Sequence, residues 1–349
     1  VIRRTVICLA LVAGFAAGCD NPPTHGLAAA WRWRPPPLGS VGMPAADRTS
    51  IGFTYGHLRL VVLDGHGHRR WEAERLGLRD VAPLLLSDRV VAATDNGAAA
   101  FARRDGARLW DVDLGDRANT PVAVSAGTLV LTTWDGHLLL LDAATGVVRA
   151  TVTLPGDVLG PAAAGSGVAV ASWDDGFSAG LVAVDAATGA LRWRHAVAAD
   201  GVSSPAVMDG VAVVVAGDGR VHAFDVSTGA PRWTRATPGA GSPEVPPAVA
   251  TDLVVADRLG TITALRPGTG APQWRTSGRG AAVRGGPAVA GRVVGLPIDD
   301  GRVLLRRGHD VTVLDPPGRV SGVAAGPGAL LLVATREAAQ NELVAYRFG

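Results

Sequence analysis

Three features of the sequence predict an all-β fold, an eight-bladed β-propeller. A glycine returns at a near-constant interval, paired turn signals surround it, and short alternating runs lie between the turns. The glycines are Gly67, Gly106, Gly146, Gly189, Gly229 and Gly270, spaced 39, 40, 43, 40 and 41 residues apart. A fixed period of this size marks a repeat architecture. The most regular copy runs from Asp218 to Trp233 and reads D-G-R-V-H-A-F-D-V-S-T-G-A-P-R-W. The frame returns at Asp135 to Ala150, Asp257 to Trp274 and Asp95 to Trp110. A shorter copy runs from Gly56 to Trp71, and the copy from Asp175 to Trp193 carries three extra residues in its first hairpin.

Each copy follows one physical logic. Asp-Gly and Thr-Gly supply residues that tolerate positive φ, which tight hairpins need. Between them, runs such as Val221-His222-Ala223-Phe224 alternate as a half-buried strand does. A β-branched run precedes each Asp-Gly (Val211 to Val215), and a short Pro-bounded strand precedes that (Ser204 to Val207). Four hairpin-connected strands make one propeller blade. No copy carries a helical apolar period, so a helical solenoid is excluded.

The chain divides into three parts. Residues 1–18 read as a signal peptide: Arg3-Arg4, an apolar run from Thr5 to Phe15, then Ala16-Ala17-Gly18. That run falls short of the roughly 20 residues that span a bilayer. Ala16-Ala17-Gly18-Cys19 resembles a lipobox, with Ala where a large aliphatic residue usually stands, and marks Cys19 as the lipidation site; an ordinary secretory signal beside a cysteine is the other reading. Cys8 lies in the apolar run and leaves with it, so the exported chain has no disulfide framework. Residues 19–30 read as a flexible tether of small residues, Pro and Gly. Residues 31–349 read as a single propeller, in keeping with 46 Gly, 23 Pro and 48% hydrophobic residues. Removing Arg3 and Arg4 takes the net charge from +2 to zero, without the basic footprint that nucleic-acid binding needs.

The two ends of the chain complement each other. Trp31-Arg32-Trp33-Arg34 looks like Leu191-Arg192-Trp193-Arg194, the outermost strand of another copy, yet it precedes any hairpin. Residues 320–349 supply three strands (Val320 to Ala325, Ala329 to Ala334, Leu343 to Phe348) and no fourth. Joining the two completes a blade and closes the ring, which removes exposed strand edges. First strands starting near Met43, Pro83, Pro121, Pro161, Pro205, Pro247 and Pro287 bring the count to eight. The seventh copy is degenerate, with Thr312 in place of Trp, so seven blades are the alternative.

The frame D-G-x-ϕ-x-A-ϕ-D-x-x-T-G-x-x-x-W, with ϕ apolar, resembles the PQQ-type β-propeller repeat over nearly the whole exported chain. Asp218-Gly219, Ala223, Asp225, Thr228-Gly229 and Trp233 match it, as do Asp185, Thr188-Gly189 and Trp193, and Asp142 with Thr145-Gly146. The resemblance implies one of two branches: quinoprotein dehydrogenases, or non-enzymatic BamB-like lipoproteins with eight blades at similar length. The enzymes hold a quinone and Ca²⁺ beside a disulfide of neighbouring cysteines, and this chain has no such pair. No cofactor and no catalytic residue is therefore expected, since a cofactor enzyme needs residues that position and tune the group.

Other candidate chemistry yields to backbone explanations. Asp174-Asp175-Gly176 and Asp299-Asp300-Gly301 could supply some of the oxygens of a Ca²⁺ site, but both sit at predicted hairpin turns. His66-Gly67-His68 lacks a third metal ligand, so no metal site is expected. Trp71, Trp110, Trp193, Trp233 and Trp274 are expected to pack between blades and donate their N–H groups to the backbone; Ala150 breaks the series and predicts a looser joint. Two tryptophans fall outside the frame. Trp134 and Trp173 stand just before the Asp turn in consecutive copies, where Thr94, Gly217 and Ala256 stand elsewhere. Together with Phe177 in the inserted hairpin they are candidate partner-binding residues on one rim.

The expectation is an exported, lipid-anchored, monomeric propeller that binds another cell-envelope protein and does no chemistry. A small quinoprotein oxidoreductase and a ligand- or sugar-binding sensor are the alternatives. Asp20 after Cys19 resembles the signal that keeps lipoproteins of two-membrane bacteria at the inner membrane, which favours the outer face of the cytoplasmic membrane.

Overall fold

The computed structural model describes residues 27–35, 39–75, 77–115, 123–158, 160–236, 245–277, 282–298, 301–336 and 341–348. The segments 1–18 and 19–26, with Cys19, and the pair Asp299 and Asp300 lie outside the described residues. The described chain is all β and forms eight antiparallel sheets, one per blade. Blade 5 shows the plan: Ala206–Met208, Val211–Ala216, Arg220–Asp225 and Pro231–Ala236 pair in sequence order. The seventh copy, for all its degeneracy, builds a complete blade from Ala288–Ala290, Val293–Pro297, Val303–Arg307 and Asp310–Leu314. Eight blades is the answer.

Closure follows the predicted route. In blade 8, Arg319–Gly326, Leu330–Arg336 and Glu342–Arg347 form three strands, and Ala29–Trp33 adds the fourth. Trp31 pairs with Ala345 and Trp33 with Leu343. Arg34 and Arg32 reach across to the buried Glu342 at 2.7 and 3.3 Å. The first strand of blade 8 lies beside those of blade 7 and blade 1 (Ala45–Ala46), so the ring is continuous there.

Burial explains the strand composition. Second and third strands are covered by neighbouring blades on both faces, so they read as continuous apolar runs. All six residues of Val211–Ala216 are buried, whereas the fourth strand Pro231–Ala236 is mostly exposed. The core is therefore divided among the joints: one cluster joins Val168, Leu181 and Trp193 of blade 4 to Ala212, Val214 and Phe224 of blade 5.

Candidate functional site

The Asp and Thr-Gly of the repeat build a loop between the third and fourth strands. In blade 5, Asp225 Oδ1 accepts the amides of Ser227 and Thr228 and the Thr228 hydroxyl. Its other oxygen pairs with Arg232. Blade 4 repeats this with Asp185 and Arg192 at 2.6 Å. The guanidinium, then the loop donors, pull each carboxyl down to about 2. Gly229 closes the loop at φ +73, with its amide bonded to the Asp225 carbonyl at 2.8 Å.

These loops are also where the blades join. A β-carbon on Gly229 would fall 2.6 Å from the Trp193 ring of the preceding blade. The Trp193 indole donates to the Val226 carbonyl at 2.9 Å in the same loop. Trp71 sits against Gly106 and donates to Arg103, Trp110 against Gly146 to Ala143, and Trp233 against Gly270 to Pro267. The glycine is thus required twice, for its φ and for the ring lying on it. The Ala150 joint differs from expectation: Val152 and Leu140 close over Gly189 beside Ala150, and the packing there is filled rather than loose.

The opposite face of the disc carries the second-to-third hairpins and the links between blades. Those links bridge to the ends of second strands, as Leu78 to Thr94 and Val202 to Ala216. Trp134 lies at such a tip in blade 3, in a turn closed by Gly136 (φ +84), and is 52% exposed. In the next blade Phe177 is fully exposed at the tip of the inserted hairpin. Asp175 accepts the amides of Phe177 and Ser178, which hold its carboxyl below the ordinary range. That carboxylate serves the turn.

Trp173 is placed otherwise. The insertion lengthens the second strand of blade 4 to Val168–Asp174, against Thr128–Thr132 in blade 3. Trp173 is consequently still inside the ladder, opposite Gly180, and the link residue Val158 pairs with it from the other side. Its ring is fully buried in the joint between blades 3 and 4. The Arg194 guanidinium lies 4.6 Å from the ring centroid. The expectation that Trp134 and Trp173 share an exposed rim is corrected: only Trp134 reaches it. Leu259 joins that face instead, 52% exposed in the hairpin between Asp257 and Thr261 of blade 6. Nothing in the sequence marks Leu259, since a leucine beside Asp-Arg resembles ordinary strand filling.

The other candidate residues have local roles. Asp64 accepts the amides of His66 and His68, and the two imidazole centroids are 6.2 Å apart. Among the described residues no group of three or more His, Cys, Asp or Glu stands together to hold a metal ion. The donors among the described residues do not make up the oxygen set that the quinone enzymes' Ca²⁺ would take.

A closed ring of eight antiparallel blades, five of whose joints rest an indole on a repeat glycine, defines a PQQ-type repeat propeller. The family profile described as outer membrane protein assembly factor BamB matches residues 94–180 and 160–345, and the chain belongs to that family. It matches no curated protein. Among solved structures, BamB from Moraxella catarrhalis has a TM-score of 0.70 at 17% identity, covering 92% of this chain and 100% of that one. The quinohemoprotein alcohol dehydrogenase from Comamonas testosteroni has a TM-score of 0.66 at 12% identity, covering 92% and 76%. The computationally designed Ika8 protein has 0.65 at 15%, covering 88% and 96%. At such identities the likeness concerns the fold alone.

Proposed function

We propose that this chain is an exported, lipid-anchored binding scaffold for another envelope protein, acting without catalysis. One observation carries the docking site: Trp134 and Phe177 project from hairpin tips of neighbouring blades on one face, at 52% and 101% exposure. Exposed aromatic residues at adjacent positions are the kind that anchor protein contacts. The family description, outer membrane protein assembly factor BamB, supports an envelope setting. Cys19 is the proposed anchor, at the outer face of the cytoplasmic membrane.

Crosslinking in the native envelope, read by mass spectrometry, tests the docking site. The Trp134→Ala/Phe177→Ala double variant loses one protein partner that the parent captures, while its melting temperature holds. A full set of partners in the variant removes the proposed face. The anchor is tested apart: Cys19→Ser moves the protein from the membrane fraction to the soluble one, and a variant that still sediments after a carbonate wash ends that reading.

A further inference from the structure

The joint between blades 6 and 7 keeps the repeat indole but lacks the glycine on which it rests at five other joints. Blade 7 has no Asp-x-x-Thr-Gly loop; its third and fourth strands meet in a tight hairpin with Arg307 paired to Asp310 and no register shift. Trp274 therefore has no loop glycine to rest on. Its ring stacks instead under Arg306, whose guanidinium carbon is 3.4 Å from the ring centroid. By ladder register, Arg306 opposite Val294 occupies the place of Phe224 opposite Ala212 in blade 5. The same place holds Leu63, Phe101, Leu141, Val184 and Leu265 in other blades, all buried. Arg306 is itself only 7% exposed.

A buried guanidinium needs a counter-charge and partners for five N–H donors. Among the described residues Arg306 has one hydrogen bond, from Nε to Thr276 Oγ1 at 3.0 Å, and no carboxylate partner. Burial with nothing to offset it lowers its proton affinity. The side chain lines a cleft of about 310 Å³ between the two blades, with Trp274, Thr251, Asp252 and Arg292. Two arginines against one aspartate leave the cleft electropositive. The cleft is lined by first-to-second turns and the blade 7 hairpin, so it opens on the disc face opposite Trp134 and Phe177.

We infer that this cleft binds a carboxylate, which the Arg306 fork grips while Trp274 backs the guanidinium plane. Arginine suits the task because its planar donors match a carboxylate edge-on and its face stacks on an aromatic ring. The volume fits a small acid or one acidic side chain of a partner. The site is independent of the proposed docking face, and variants at Trp134 and Phe177 leave it intact.

Calorimetric titration of the purified protein distinguishes the two sources. One arm uses succinate, with succinamide as its uncharged counterpart; the other uses a short Glu-rich peptide and its Gln counterpart, all at constant ionic strength. At least one carboxylate probe binds saturably, and its amide counterpart binds far more weakly. Arg306→Leu, which installs the residue of blades 1, 3 and 6, retains the fold and weakens binding by about thirtyfold or more, as loss of a buried charge pair does. Binding of succinate alone identifies a free acid, and binding of the peptide alone identifies a partner side chain. The inference is overturned if neither probe binds, if the amides bind as well as the acids, or if a folded Arg306→Leu binds as tightly as the parent.

Discussion

The indole of Trp31 rests on Gly67: a β-carbon there would fall 2.7 Å from the ring, and the indole N–H donates to the Gly65 carbonyl at 3.2 Å. This is the same contact that joins blades 1 and 2, 2 and 3, 4 and 5, and 5 and 6. Here it joins residues from opposite sides of the ring's seam. Trp33 seals the other end of that joint, with its ring 4.7 Å from Phe53 and 5.3 Å from Tyr55. The N-terminal strand is thus an ordinary fourth strand delivered out of sequence order.

Removing the seam contacts should cost stability in proportion to what they bury. Trp31→Ala is expected to lower unfolding free energy by about 2 kcal/mol, and the double variant with Trp33→Ala by about 4. Urea unfolding measures both. A double variant with an unchanged midpoint would show that the ring does not close through this strand.

The repeat glycines should tolerate nothing larger. Gly229→Ala places a methyl group against Trp193 at a φ of +73, so a loss of about 1–3 kcal/mol is expected. The same change at Gly210, also at φ +73 but with nothing within 4 Å of the built β-carbon, carries the backbone strain alone. Melting curves of the pair separate the two terms; equal losses would mean that the ring contact contributes nothing.

Trp173 should behave as core. Trp173→Ala is expected to cost about 3–5 kcal/mol. Its indole N–H has no hydrogen-bond partner among the described residues, so Trp173→Phe removes no bond seen there and should cost under about 1.5 kcal/mol. Trp134→Ala should change stability by no more than about 0.5 kcal/mol. Thermal denaturation of the three variants decides, and a destabilised Trp134→Ala beside a neutral Trp173→Ala would reverse the assignment.

Acid should loosen the loops that the Asp-Arg pairs hold. Asp185 and Asp225 drop from the ordinary 3.8 to about 2 in the folded chain. A carboxyl with a depressed folded value stabilises the native state above pH 3.8, and that share disappears as pH falls through about 2. Both groups face solvent, so the effect is small. The Asp185→Asn/Asp225→Asn variant should show a shallower fall of stability across this window in urea melts taken at successive pH values. An identical pH slope in parent and variant would exclude these two groups as its source.

The repeat period determined most of the fold by itself. Turns and strand alternation follow from local signals recurring in most copies, and the unpaired strand at Trp31 pointed to its own place because the regular copies end with such a strand; eight blades rather than seven was decided by the degenerate seventh copy folding into a full blade. Tertiary structure decided what depends on register and on neighbours. Phe177 was legible because a turn exposes its tip whatever surrounds it. Trp173 was not, because three extra residues moved the turn beyond it and left it inside a ladder covered by the preceding blade. The Thr-Gly glycines showed their need for positive φ, while the indole resting on Gly146, Gly229 and Gly270 comes from a strand some 33 residues away and is visible only once blades stack. Arg306 lies beyond the frame's reach for the same reason: a guanidinium at an apolar position means little until the facing blade supplies Trp274 and leaves a cleft beside it.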